Sequence, residues 1–124
     1  MIDNEEIEEA KNKIVYISES YHEHNDCIRI AYEWLDAQIK TKNITNGIYP
    51  IKHLIERWAG RYVSTADVEV AAFMHPDIKG KYPRFNVKYK LTEPSTQRLD
   101  GIPEAFKHQQ YRESHDPSRY SETE

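Results

Sequence analysis

The sequence predicts a mainly α fold (α+β) of four to five helices with one small β element. Three observations carry that expectation. Apolar residues recur at three- and four-residue spacing in separate stretches, turn residues divide those stretches, and past Pro76 the apolar period drops to two. With 124 residues the chain is long enough for one core. A helical domain is expected over residues 1–111. Residues 112–124, RESHDPSRYSETE, have almost no apolar content and are expected to form a mobile polar tail.

The first helix is expected to begin at Asn4 as cap, with Glu5 and Glu6 in the favourable first turn. Ile7, Ala10, Ile14, Ile17 and Tyr21 continue it along one stripe, leaving Glu5, Glu8, Glu9 and Glu19 to solvent. His22-Glu23-His24-Asn25 breaks it, and Asn25 or Asp26 can cap the next helix. That second helix turns Cys27, Ile28, Ala31, Trp34, Leu35 and Gln38-Ile39 inward. Asn46-Gly47 then marks a turn.

A third helix is expected from Pro50, whose fixed φ suits a first helical position, with Ile51, Leu54, Ile55, Trp58 and Tyr62 on its stripe. Gly60 can end it in a left-handed conformation. Ser64 caps a fourth helix, and Asp67 three residues on makes a capping box. Pro76 stops that helix near His75. Phe85, Val87, Tyr89 and Leu91 then alternate with Asn86, Lys88 and Lys90 as a half-buried strand. Ser95 caps a short turn through Leu99, and a last helix is expected from Pro103 to about Tyr111. The expected core is Ile14, Ile17, Ile28, Ala31, Trp34, Leu35, Leu54, Ile55, Trp58, Val68, Ala72 and Phe85.

Val63-Ser64-Thr65-Ala66-Asp67-Val68 followed by Ala71-Ala72 resembles the turn and recognition-helix start of helix-turn-helix and winged-helix proteins. The resemblance covers about ten residues. It implies a degenerate winged helix in which the fourth helix enters a DNA groove and the basic loop after it touches phosphates. The sequence departs from the pattern at Arg61 and Glu69, which stand where apolar residues are expected when Gly60 is the turn glycine. Thr65, Asp67, Glu69 and Val70 face outward in that reading, where a groove-reading helix carries Arg, Lys, Asn or Gln.

Charge divides the chain. Residues 1–36 hold ten acids against three bases, whereas residues 77–98 hold six bases against two acids. Two functions follow. The first is a small non-catalytic DNA-associated regulator that uses Arg57, Arg61, Lys79, Lys81, Arg84, Lys88 and Lys90 on the nucleic acid. The second is an inhibitor or interaction protein of the phage or mobile-element type. It would present Glu5, Glu8, Glu9 and Glu19 to a protein or nucleoprotein partner where that partner expects phosphates. The basic middle can equally face the acidic head of a second copy, as in a homodimer.

Phosphate-binding glycine loops, nucleophile elbows and paired-cysteine motifs are absent from the sequence, so neither an enzyme nor a cofactor is expected. His22-x-His24-x-x-Cys27 has ligand-like spacing but lacks a fourth ligand, so no metal is expected there. A single cysteine, an acidic start and no long apolar run give the expectation of a soluble cytoplasmic protein without a membrane span.

Overall fold

The computed structural model describes residues 1–45 and 51–124, and three of its helices begin on side-chain caps. Helix α1 (Asn4–Lys13) starts on Asp3, whose carboxylate accepts the Glu6 N–H. Helix α2 (Asn25–Ala37) starts on His24, whose Nδ1 accepts the Asp26 N–H. Helix α3 (Ile51–Ala59) ends as expected at Gly60, at φ 59°, and the Arg61 N–H reaches back to the Glu56 carbonyl in a Schellman cap. Helix α4 (Thr65–Met74) opens on the expected capping box between Ser64 and Asp67 and stops at His75 before Pro76. The expected Asn46-Gly47 turn and the Pro50 helix start lie outside the described residues.

The molecule is built around α4. It packs along α2 and beside α1, while α3 lies against α2 and the C-terminal segment. Seven consecutive residues of α4, Ala66 to Ala72, are buried, so this helix has no broad solvent face. Ten of the twelve expected core residues are buried; Ile14 is half-buried and Ile17 is exposed. Among the described residues, no helix is long and apolar enough to cross a membrane.

Small β pairs complete the fold. β1 (Gly80–Lys81) and β2 (Arg84–Phe85) form an antiparallel hairpin around a cis Tyr82–Pro83 peptide. Gly80 sits at φ 103°, where an added Cβ would lie 2.4 Å from the Arg84 carbonyl oxygen; the close turn requires glycine. β3 (Thr92–Glu93) pairs in parallel with β4 (Glu122–Thr123).

Three expected elements need correction. The first helix stops at Lys13 instead of reaching Tyr21, and residues 14–24 run irregularly across α4. The strand from Phe85 to Leu91 is not continuous. Past Phe85 the chain bonds to the segment after α2, through Lys88 N–H to Ile39 O at 2.7 Å and Thr41 N–H to Asn86 O at 2.8 Å. Asn86 turns inward there to bond the backbone of Lys79, Asp77 and Thr41. The last helix shrinks to α5 (Gln109–Arg112), because residues 103–108 are spent closing the end of α3.

Residues 112–124, expected as a mobile polar tail, make hydrogen bonds to the core. Their groups match core donors and acceptors left open by the helices. Tyr120 accepts the indole N–H of Trp34 at 3.0 Å, and Arg112 donates to the Trp58 carbonyl at 2.7 Å. Glu124 pairs with Arg98 at 2.5 Å.

Candidate functional site

The structure separates the basic residues read from the sequence. Arg61 is only 6% exposed and is held inside by Glu104 at 3.0 Å, Glu23 at 3.3 Å and the Tyr62 carbonyl at 2.6 Å. Arg57 is half-buried on α3, and Lys88 pairs with Glu122 at 3.3 Å. Lys79, Lys81 and Arg84 remain together and exposed on the hairpin, with Lys90 exposed a few residues on. Of the four residues expected on the outward face of α4, Asp67, Glu69 and Val70 are buried and Thr65 is half-buried. This helix has no face with which to read a groove.

The acidic set divides as well. Glu5, Glu8 and Glu9 stand exposed on α1, with Glu8 bonded to Lys11 at 3.0 Å. That contact and the Asn25 amide hold the Glu8 carboxyl below its usual value. Glu19 is exposed too, but on the irregular segment and not on the α1 face.

That segment, residues 14–24, is a strap fastened to α4 by buried polar side chains. Glu69 Oε1 accepts the Ile17 N–H at 2.9 Å, and Ser64 donates its hydroxyl to the Tyr21 carbonyl at 2.7 Å. Asp67, wholly buried, accepts from His22 Nδ1 at 2.8 Å while its other oxygen accepts the Ser64 N–H at 2.9 Å. With Nδ1 donating, His22 Nε2 accepts from the Tyr16 hydroxyl at 2.6 Å. Burial, then the charges of Glu69 and Asp67, push the Tyr16 phenol up and keep it a donor. This Asp–His–Tyr chain explains why α1 stops: α4 offers acceptors that an extended backbone satisfies and a helix cannot.

Between the strap, α4 and the hairpin lies a groove of about 290 Å³. Three large apolar side chains line it while remaining open to solvent: Val15 at 81%, Ile17 at 54% and Phe73 at 51% exposure. Glu69, at 5% exposure, lines it from α4. Its Oε2 has no hydrogen-bond partner among the described residues. Lys13 and Lys81 also line the groove, and both are exposed. Tyr82 lines it from the hairpin, its phenol pushed up by burial first and by Glu56 next.

The expected ligand-like trio disperses into other work. His22 joins the chain to Asp67, His24 caps α2, and Cys27 is buried with Sγ 3.5 Å from the Tyr62 carbonyl. Burial pushes the Cys27 thiol up to about 12. Among the described residues, no three His, Cys, Asp or Glu side chains gather as metal ligands. Glu69 was legible only as surface charge. The signal that identifies it is its place inside Ala66-Asp67-Val68-Glu69-Val70-Ala71-Ala72, a run too apolar all round to own a solvent face.

The chain matches no protein-family model, no curated protein and no solved structure.

Proposed function

We propose that the chain works without catalysis, as an interaction protein that docks a partner protein on the groove between the strap, α4 and the hairpin. The observation that supports this is the gathering of Val15, Ile17 and Phe73, exposed, at one groove. Scattered exposed apolar residues are ordinary, whereas a contiguous patch beside a cavity marks a contact surface. The rim biases the approach: Lys13, at the end of α1, and Lys81, on the hairpin, both line the groove, whereas Glu5, Glu8 and Glu9 lie further back along α1 and do not. Opposed charge on a partner would speed and orient encounter more than it would add affinity. The test is a photo-crosslinking residue at Phe73, compared with one at the exposed Gln110 on α5. The expected result is a discrete protein adduct from position 73 alone, in cells that make the protein; no adduct there removes the reading.

A second reading is favoured by one observation of its own. Lys79, Lys81 and Arg84 project from one hairpin and make no ion pair among the described residues. That supports phosphate contact by the hairpin alone, without α4. Replacing all three by Ala should flatten the salt slope of duplex binding by about 0.9 per lost contact. A polarisation titration at low salt with no binding to any duplex removes it.

A further inference from the structure

We propose that the groove takes an extended apolar segment of a partner protein, flanked by acidic side chains, with one backbone N–H of that segment on Glu69 Oε2. The inference rests on the docking reading above and names the chemistry of the partner.

Glu69 supplies the recognition atom. One of its oxygens receives the Ile17 N–H at 2.9 Å, and the other has no partner although the side chain is 95% removed from solvent. Oε2 is unpartnered but shut off from solvent, so it takes a donor only once the entering chain opens a way to it; a buried acceptor left unpaired is costly, and that donor recovers the loss. The strap displays the matching geometry. Ile14 leaves α1 in extended conformation, and three residues later a backbone N–H lands on the same carboxylate. A second extended chain beside it would place an N–H on Oε2 and every other side chain against Val15, Ile17 and Phe73.

The charges of the lining decide between donors. Lys13 and Lys81 stand against the single carboxylate of Glu69, so the lining is net positive. An ammonium or guanidinium head would enter against two lysines. A neutral backbone N–H does not, and carboxylates on either side of it meet the lysines at the rim.

The probe is a capped heptapeptide, glutamate-leucine-threonine-valine-threonine-leucine-glutamate, followed by ¹⁵N shifts of the Ile17, Glu69, Phe73 and Gly80 amides in the full chain. The same peptide with lysine ends is the charge control. The expected result is saturable shifts with the glutamate-ended peptide and roughly tenfold or more weaker binding with lysine ends. N-methylation is then scanned along the peptide to delete one N–H at a time. One position should lose roughly tenfold or more against the native chain, because the bond has a charged acceptor. Against Glu69→Gln, which keeps an oxygen for Ile17, the same N-methylation should change little. Lys81→Glu should invert the preference between the two peptide ends.

Equal binding of both peptides, or an N-methyl scan in which no position depends on Glu69, overturns the inference. No peptide shift at millimolar concentration while position 73 still crosslinks a protein overturns it too and leaves the docking reading standing. No crosslink at position 73 removes both.

Discussion

Two irregular segments cover the helices, and they are fastened in opposite ways. The strap, residues 14–24, carries backbone N–H groups to side-chain acceptors buried on α4. The C-terminal segment carries its own side chains and N–H groups to donors and carbonyls on the core tryptophans and the end of α3. Tyr120 takes the Trp34 indole, the Pro94 carbonyl takes the Trp58 indole, and Phe106 and His108 close the carbonyls of Ala59 and Gly60. The C-terminal segment completes the open ends of α3 and the indole groups beneath it. The strap leaves one carboxylate oxygen open and two of its apolar side chains in solvent. An unpartnered carboxylate oxygen beside exposed apolar side chains is what separates candidate surface from scaffold.

The largest way to break this comparison is Asp67→Ala. It removes the capping box, the partner of His22 and the anchor of the strap together. Each buried donor left without its acceptor, the His22 Nδ1–H and the Ser64 N–H, costs about 1–3 kcal/mol, together a large share of ordinary domain stability. Urea unfolding should show the loss in the midpoint, with strap amides exchanging faster than those of α3. A change below about 1 kcal/mol would mean that Asp67 does not hold the strap.

Tyr120→Ala attacks the other fastening. It opens the Trp34 indole N–H and removes a ring packed against the core, for a loss of about 2–4 kcal/mol. Tyr120→Phe keeps the ring and should lose only about 1–2 kcal/mol from the unpaired indole. If both variants melt like the native chain, residues 112–124 are the free tail that their composition suggests.

How far the sequence foretold all this depends on the source of order. Ser64, Asp67 and Gly60 declared the ends of α3 and α4 because capping is local chemistry. The two tryptophans and the aliphatic stripes declared the core through the helical period, which is local too. Ile14, Ile17 and Tyr21 kept helical spacing yet left the helix, because their fate is set by Glu69, Ser64 and Asp67, more than forty residues away in sequence. Tyr120 looked idle until Trp34 stood beside it. The candidate groove was less legible still: Ile17 was assigned to a helix stripe, Val15 and Phe73 were given no role, and Glu69 was placed on an outward face.

Alkaline pH sharpens the C-terminal side of the comparison. Burial pushes the Tyr120 phenol up to about 12 from the usual 10.0, with the Trp34 indole pulling the other way. Raised in the fold, this group contributes stability in full below pH 10 and loses it as pH rises through about 12. Two units correspond to about 2–3 kcal/mol. Cys27 adds a parallel loss that begins nearer its usual 9.0. Circular dichroism across this window should show native chain and Tyr120→Phe diverging between the two pH values. Identical alkaline limbs would remove the buried hydroxyl from the account.

The smallest expected effect is the most informative. Glu69→Gln preserves an oxygen for the Ile17 N–H and replaces the open Oε2 with an amide. If the strap needs only one acceptor, unfolding free energy should move by less than about 1 kcal/mol. The sign can even be stabilising, since an uncompensated buried carboxylate is itself a cost. Asp67 and Glu69 lie two residues apart on the same buried helix, yet the first variant should unfold the strap and the second should barely register. A loss of more than about 2 kcal/mol in Glu69→Gln would show both oxygens to be structural. The groove would then have no open acceptor, and the two irregular segments would be fastened alike after all.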